Sequence, residues 1–189
     1  MCIGSTELYS KPYNGVMRLF IAIDLPEEVK RDLWYLALDL EHQAEQARVV
    51  PPENYHLTLL FIGETKRVNE VRETFGLLRL PEGPVELVLE GIGSFKQQQA
   101  RTWWVGVRVT DVLTTIYSDL ADLYKAAGFA IEARSFKPHV TIARKVKAAQ
   151  PIALAAPEHS VRAKRISLMK STPQVGRMVY TEIDSLELP

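Results

Sequence analysis

Cysteine is all but missing from this chain of 189 residues. The single thiol, Cys2, has no partner for an internal disulfide, which points to a reducing, cytoplasmic setting. Long apolar runs are absent too, and none approaches the eighteen or so residues of a membrane helix. The first sixteen residues hold no apolar stretch of signal-peptide length, so no leader is expected and the start reads as a loose arm. A charge of one sign is also lacking: Lys plus Arg and Asp plus Glu both number 23. Proteins that coat long nucleic acids usually carry a basic excess to neutralise phosphates. Its absence favours a small substrate or a nucleic-acid end. There is no Gly-rich phosphate loop with Lys-Ser/Thr, which argues against an ATP-driven ligase. There is no Gly-x-Ser-x-Gly nucleophile elbow either.

What the chain does contain is the material for one domain, 47% hydrophobic and 24% charged. We divide it into an arm over 1–16 and a single two-lobed domain over 17–189. Residues 17–23 are apolar and β-prone, a strand. Asp24 is an N-cap candidate for a helix with apolar residues at Val29, Leu33, Leu36, Leu40 and Ala44, expected to reach Ala47. Strands are expected over 55–62 and 85–91, with a short helix over 68–78 between them. The pattern then repeats: a strand over 102–109, an N-cap candidate at Asp111, a helical stripe ended by Gly128, and a strand over 139–143. Strands near 161–169 and 178–187 close the chain. A strand, an Asp-capped helix and a His-bearing strand thus occur twice, which suggests two related lobes that each present one histidine.

The chemistry lies in two tetrapeptides, His56-Leu57-Thr58-Leu59 and His139-Val140-Thr141-Ile142. Strand side chains alternate between faces, so each strand offers one imidazole and one hydroxyl on one side and apolar residues on the other. If the lobes face each other, two His and two Thr meet in one cleft. Such a set suits a cyclic phosphodiester, whose hydrolysis needs a base for the attacking water and an acid for the leaving ribose oxygen. Imidazole titrates in the right range for both tasks. The hydroxyls can donate to the non-bridging oxygens, where charge builds up. The scheme requires no cofactor and no metal, and neither motif has an acidic or thiol neighbour on its face to complete a zinc site. With 4 His and 11 Thr in the chain, chance gives about 0.2 His-x-Thr pairs; two occur, each with apolar residues at the remaining positions. His42 and His159 read as solvated surface residues.

At these motifs the sequence resembles the 2H phosphoesterase superfamily, in particular the bacterial and archaeal RNA 2′,3′-cyclic phosphodiesterases once called 2′-5′ RNA ligases. The similarity is carried by residues 17–26, 50–64, 136–144, and 91–95 followed by 103–107, and it runs from Met17 to nearly Pro189. It implies an α+β fold of two duplicated antiparallel sheets with outer helices around a central cleft. It also implies His56 as proton donor and His139 as proton acceptor for hydrolysis to a 2′-phosphate, reversible as ATP-independent 2′-5′ ligation. Thr58 and Thr141 match the family's phosphate-contacting hydroxyls, and Arg144 matches an Arg that often follows the second motif. By strict alternation, however, Arg144 falls on the opposite face from Thr141. Phe20, Phe95, Trp104 and Phe136 are base-stacking candidates. The arm before Met17 and Leu60, at a position where Lys is common, depart from the family's pattern. The implied partners are RNA ends or nucleoside 2′,3′-cyclic phosphates, met by a monomer with no membrane attachment. Other readings are a 2H enzyme for 2′-5′ oligonucleotides or a nucleotide-derived cyclic phosphate, and a non-catalytic module that binds RNA ends.

Overall fold

The computed structural model describes residues 15–133, 135–175 and 177–189. The expected arm and Cys2 therefore lie almost wholly outside the described residues. Strand β1 (Met17–Asp24) leads into helix α1 (Glu27–Gln43). Strand β2 (Gln46–Val49) and a 3-10 turn (Pro52–Asn54) follow, then β3 (His56–Thr65) and α2 (Val68–Phe75). The second half runs β4 (Glu86–Gln97), β5 (Ala100–Val107), α3 (Asp111–Ala126), β6 (His139–Lys147), β7 (His159–Arg162), β8 (Arg165–Gln174) and β9 (Arg177–Glu187).

The strands form two antiparallel sheets, in the order β3-β1-β8-β9 and β2-β6-β5-β4-β7. In each, a His-bearing strand lies beside the strand that precedes it by one long helix: β3 beside β1, and β6 beside β5. The duplication expected from the sequence is therefore present. The fold is α+β, with two sheets and the apolar faces of the helices turned onto them. Helix α1 buries Val29, Leu33, Leu36, Ala37 and Leu40, and α3 buries Leu113, Ile116, Leu120, Ala121 and Tyr124. Both follow the three-to-four-residue spacing of an amphipathic helix. The Tyr124 hydroxyl donates to the Val71 carbonyl at 2.8 Å and ties α3 to α2. No helix among the described residues is long and apolar enough to cross a membrane.

The helix boundaries differ from expectation for identifiable reasons. Asp24 does not cap α1. The N-cap is Pro26, with no side-chain hydrogen bond, and the Asp24 carboxylate instead accepts from buried Lys30 at 2.9 and 3.1 Å. Asp111 is likewise the first helical residue of α3, and the cap is Thr110, whose hydroxyl accepts from the Leu113 amide at 3.2 Å. Helix α1 stops at Gln43 because residues 46–49 pair with β6, placing Arg48 opposite Arg144. Cross-sheet pairing outweighs the local helical pattern there. His42 is exposed, as expected. His159 is not a free surface residue: it is half-buried, opens β7 and lies 3.2 Å from the Asp32 carboxylate on α1.

Candidate active site

The two His-bearing strands place their imidazoles in the same way. His56 begins β3 opposite Asp24, and His139 begins β6 opposite Gly106. Each ring is held by a backbone carbonyl two residues earlier. His56 Nδ1 lies 2.8 Å from the Asn54 oxygen, and His139 Nδ1 lies 2.7 Å from the Lys137 oxygen. A carbonyl can only accept, so Nδ1 carries the proton in both rings, and Nε2 is left as the atom that takes or gives one. Asn54 is fixed in turn, its side-chain Nδ2 donating to the Met178 carbonyl on β9 at 2.8 Å. The holding groups are main-chain carbonyls, so the side chains two before each His gave no sign of them.

Rings pack around both imidazoles. His56 meets Phe20 at 5.0 Å and the edge of Tyr180 at 5.1 Å. His139 meets Phe95 at 5.1 Å and Trp104 at 5.7 Å, and the Lys137 ammonium lies 4.8 Å from the centre of the Trp104 ring. Gly93 makes room for this second cluster. The Trp104 indole lies across it, where a Cβ would overlap the ring. Neither Tyr180 nor Gly93 was singled out from the sequence. Tyr180 lies in a closing strand with no motif around it, and the role of Gly93 emerges only once β4 pairs with β5.

Thr58 and Thr141 are half-buried, two residues after each His and on the same side, while Leu57, Leu59, Val140 and Ile142 are buried beneath. Arg144 is exposed, and its charge acts on both histidines, lowering the pKa of each. The strict alternation that put Arg144 on the other face fails because β6 carries an extra residue, Ile142, skipped in the pairing with β5.

Two base-stacking candidates are engaged by other rings. Phe20 is 2% exposed, packed under His56 and Tyr180, and has no open face for a base. Phe136 is stacked on Tyr117 of α3 at 4.5 Å and 12°, and packs against the hydrophobic core rather than the histidine pair. Phe95 and Trp104 do stand beside His139.

Burial is the main influence on both imidazoles. It pushes His56 down to about 4, against the raising effects of the Asn54 carbonyl and the Asp24 carboxylate. Arg144 and His139 add to the lowering. His139 is also lowered, first by burial and then by Arg144 and Lys137, with the Lys137 carbonyl opposing. The Arg144 charge acts on both rings and His139 acts on His56, so these groups lie within electrostatic reach of one another. Among the described residues, no group of three or more His, Cys, Asp or Glu is arranged to hold a metal ion.

The family model of the 2′-5′ RNA ligase superfamily matches residues 29–173, which include both His-x-Thr strands. The chain belongs to this superfamily. Its relatives include the RNA 2′,3′-cyclic phosphodiesterase of Thermotoga maritima, 38% identical over 133 residues, covering 68% of this chain and 70% of that protein. The Archaeoglobus fulgidus enzyme of the same name is 31% identical, over 68% of this chain and 72% of its own. Among solved structures, Escherichia coli LigT complexed with 3′-AMP superposes with a TM-score of 0.79 at 26% identity, over 92% of this chain and 99% of that one. TT0787 of Thermus thermophilus gives 0.78 at 26% identity, over 91% and 98%. The two antiparallel sheets that carry the paired motifs thus match the architecture of these solved structures.

Proposed function

We propose that this chain is an RNA 2′,3′-cyclic phosphodiesterase that opens cyclic phosphate ends to 2′-phosphomonoesters. The observation that carries the reading is the matched pair of imidazoles, each with Nδ1 held by the carbonyl two residues before it and both within reach of one guanidinium. It is supported by membership of the superfamily and by the names of the relatives.

In the reaction, a water oxygen attacks phosphorus while the bond from phosphorus to the 3′ oxygen breaks. His139 Nε2 takes the proton from the water, and His56 Nε2 gives one to the departing 3′ oxygen. Thr58 and Thr141 donate to the non-bridging oxygens, and Arg144 neutralises the charge gathering there. Burial and the neighbouring positive charges favour the neutral form of both imidazoles, His56 the more strongly. The donor role of His56 therefore draws on the negative charge of the bound phosphate, which favours the imidazolium. Phe95 and Trp104, beside His139, are the candidates to receive the base. The chain is read as a cytoplasmic monomer acting on RNA ends or nucleoside 2′,3′-cyclic phosphates, and reversal of the same steps is 2′-5′ ligation.

The test is hydrolysis of a nucleoside 2′,3′-cyclic phosphate with EDTA present, by the native chain, His56→Ala and His139→Ala. Release of the 2′-phosphate by the native chain, with loss in each variant of about 10²-fold or more, is the expected result. A folded native chain that leaves the substrate intact refutes the reading.

A further inference from the structure

Among the described residues, Lys30 is the one charged side chain that is buried, at 6% exposed. It is the fourth residue of α1, near the end of the helix whose dipole disfavours a cation. Ammonium groups are seldom drawn out of water, and an apolar residue of similar length would fill the same space without that penalty. Packing therefore does not explain its presence; its partners do. Glu27 accepts from it at 3.0 Å, but that side chain is 88% exposed. Asp24 meets it with both carboxylate oxygens, Oδ1 at 2.9 Å and Oδ2 at 3.1 Å. Burial acts to lower the Lys30 pKa, and the bonds to Asp24 and Glu27 outweigh it and raise the pKa, so the ammonium stays charged.

Asp24 ends β1 directly opposite His56. Phe20, Ala22 and Asp24 alternate along β1 on the face that His56 and Thr58 share. The charges that act on the His56 ring are Asp24 from β1 and Arg144 and His139 from β6; Phe20, the Tyr180 ring of β9 and the Asn54 carbonyl complete its surroundings. Asp24 is the one anion among these groups, and it supports the imidazolium against burial and the two cationic neighbours. The same carboxylate has a competing place. The first amides of a helix have no partner within it, and the Pro26 cap of α1 supplies no side-chain acceptor. A carboxylate set free two residues before that cap is drawn to those amides and to solvent, away from the ring opposite.

We infer that Lys30 is a positioning residue for the proton donor: by holding both oxygens of Asp24 it keeps that anion opposite His56 instead of at the start of α1. The inference rests on the phosphodiesterase reading above. It is tested by kcat/KM across pH on a nucleoside 2′,3′-cyclic phosphate, for the native chain, Lys30→Met, Asp24→Asn and the double variant. Moving the anion away lowers the His56 pKa by about one unit, so Lys30→Met and Asp24→Asn alike should lose about 10-fold in kcat/KM, with the pH optimum about half a unit lower. The double variant is expected to match Asp24→Asn, because Lys30 acts through the carboxylate. Lys30→Arg, which keeps the charge and offers two donors to the two oxygens, should restore the native optimum. An unmoved optimum in Lys30→Met overturns the inference, as does an upward move, the result if Lys30 merely masked the carboxylate. Additive losses in the double variant overturn it too. If Lys30→Met does not fold, Lys30→Gln makes the same comparison. If the native chain leaves the substrate intact, the phosphodiesterase reading is what has failed. NMR titration of the His56 ring in the same proteins then decides the role of Lys30: a pKa lowered equally in Lys30→Met and Asp24→Asn supports it, and a native pKa in Lys30→Met refutes it.

Discussion

The depressed pKa of His56 makes acid stability a direct reading of how the first imidazole is buried. In the unfolded chain the ring titrates near 6.5; in the folded one burial holds it to about 4. Protons therefore bind the unfolded chain more readily between these values, and stability that is complete above pH 6.5 is lost as the pH falls toward 4. At pH 4.5 the unfolded ring is charged in about 99 of 100 molecules and the folded ring in about a quarter, a difference worth about 2.5 kcal/mol. Other groups titrate in this window too, so the native chain must be compared with His56→Gln, which lacks the imidazole but leaves the rest in place. Urea unfolding at pH 7 and pH 4.5 gives a stability for each protein at each pH. The native chain is expected to lose about 2.5 kcal/mol more than the variant on acidification. Parallel losses would show that His56 is solvated in the folded chain, and would remove the electrostatic basis for treating the two histidines differently.

Three further outcomes follow from the site. Arg144→Gln removes a positive charge that lowers both imidazoles, so kcat/KM should fall while its pH optimum moves upward; a fall with no movement, or a downward one, would place Arg144 out of reach of the pair. Gly93→Ala drives a Cβ into the Trp104 ring and displaces it from His139; a loss of up to about 100-fold in kcat/KM is expected, and unchanged kinetics would show that Trp104 does not position the site. Thr58→Val and Thr141→Val each remove a hydroxyl from the His face of its strand, and each should cost about 10²-fold in kcat, measured by product release at saturating substrate; a change confined to KM would reduce the hydroxyls to ground-state contacts.

The elements that were legible in the sequence are those whose pattern is local. The opening strand, the two long helices and both His-x-Thr strands announce themselves through apolar periodicity and through the motif itself. The elements that were not depend on partners far along the chain. Strand β2 is drawn out of a helical pattern by β6, and Asp24 is claimed by Lys30 before it can cap α1. The burial of Phe20 and the loss of Phe136 to Tyr117 belong to the same class, since an aromatic in a strand carries no mark of which ring will cover it. The bulges at Leu59 and Ile142, each skipped in the pairing with the neighbouring strand, leave a trace in the sequence: in each strand two apolar residues stand together where alternation would put a polar one, with Phe61 or Arg144 directly after them. Reading that pair as an inserted residue would have set Arg144 on the His face from the start.

A duplicated scaffold poses a chemical difficulty that its neighbours resolve. Repetition supplies two equivalent imidazoles with the same tautomer, because each Nδ1 meets the carbonyl two residues before it. Hydrolysis needs them in opposite states, one charged and one neutral. The backbone cannot provide this difference, so the side chains around each ring must. His56 has the Asp24 carboxylate as its counter-charge and the buried ring of Phe20 and half-buried ring of Tyr180 as its walls, so it charges reluctantly when alone but has an anion nearby to support the imidazolium. His139 has the Lys137 ammonium beside it, which favours its neutral form. Asp24 beside His56 and Lys137 beside His139 are thus the charges that break the equivalence of two otherwise matching strands. Asp24→Asn with Lys137→Glu removes the acidic neighbour of His56 and gives one to His139, so kcat/KM should fall and its pH profile shift; an unchanged profile would show that these neighbours do not set the states of the pair.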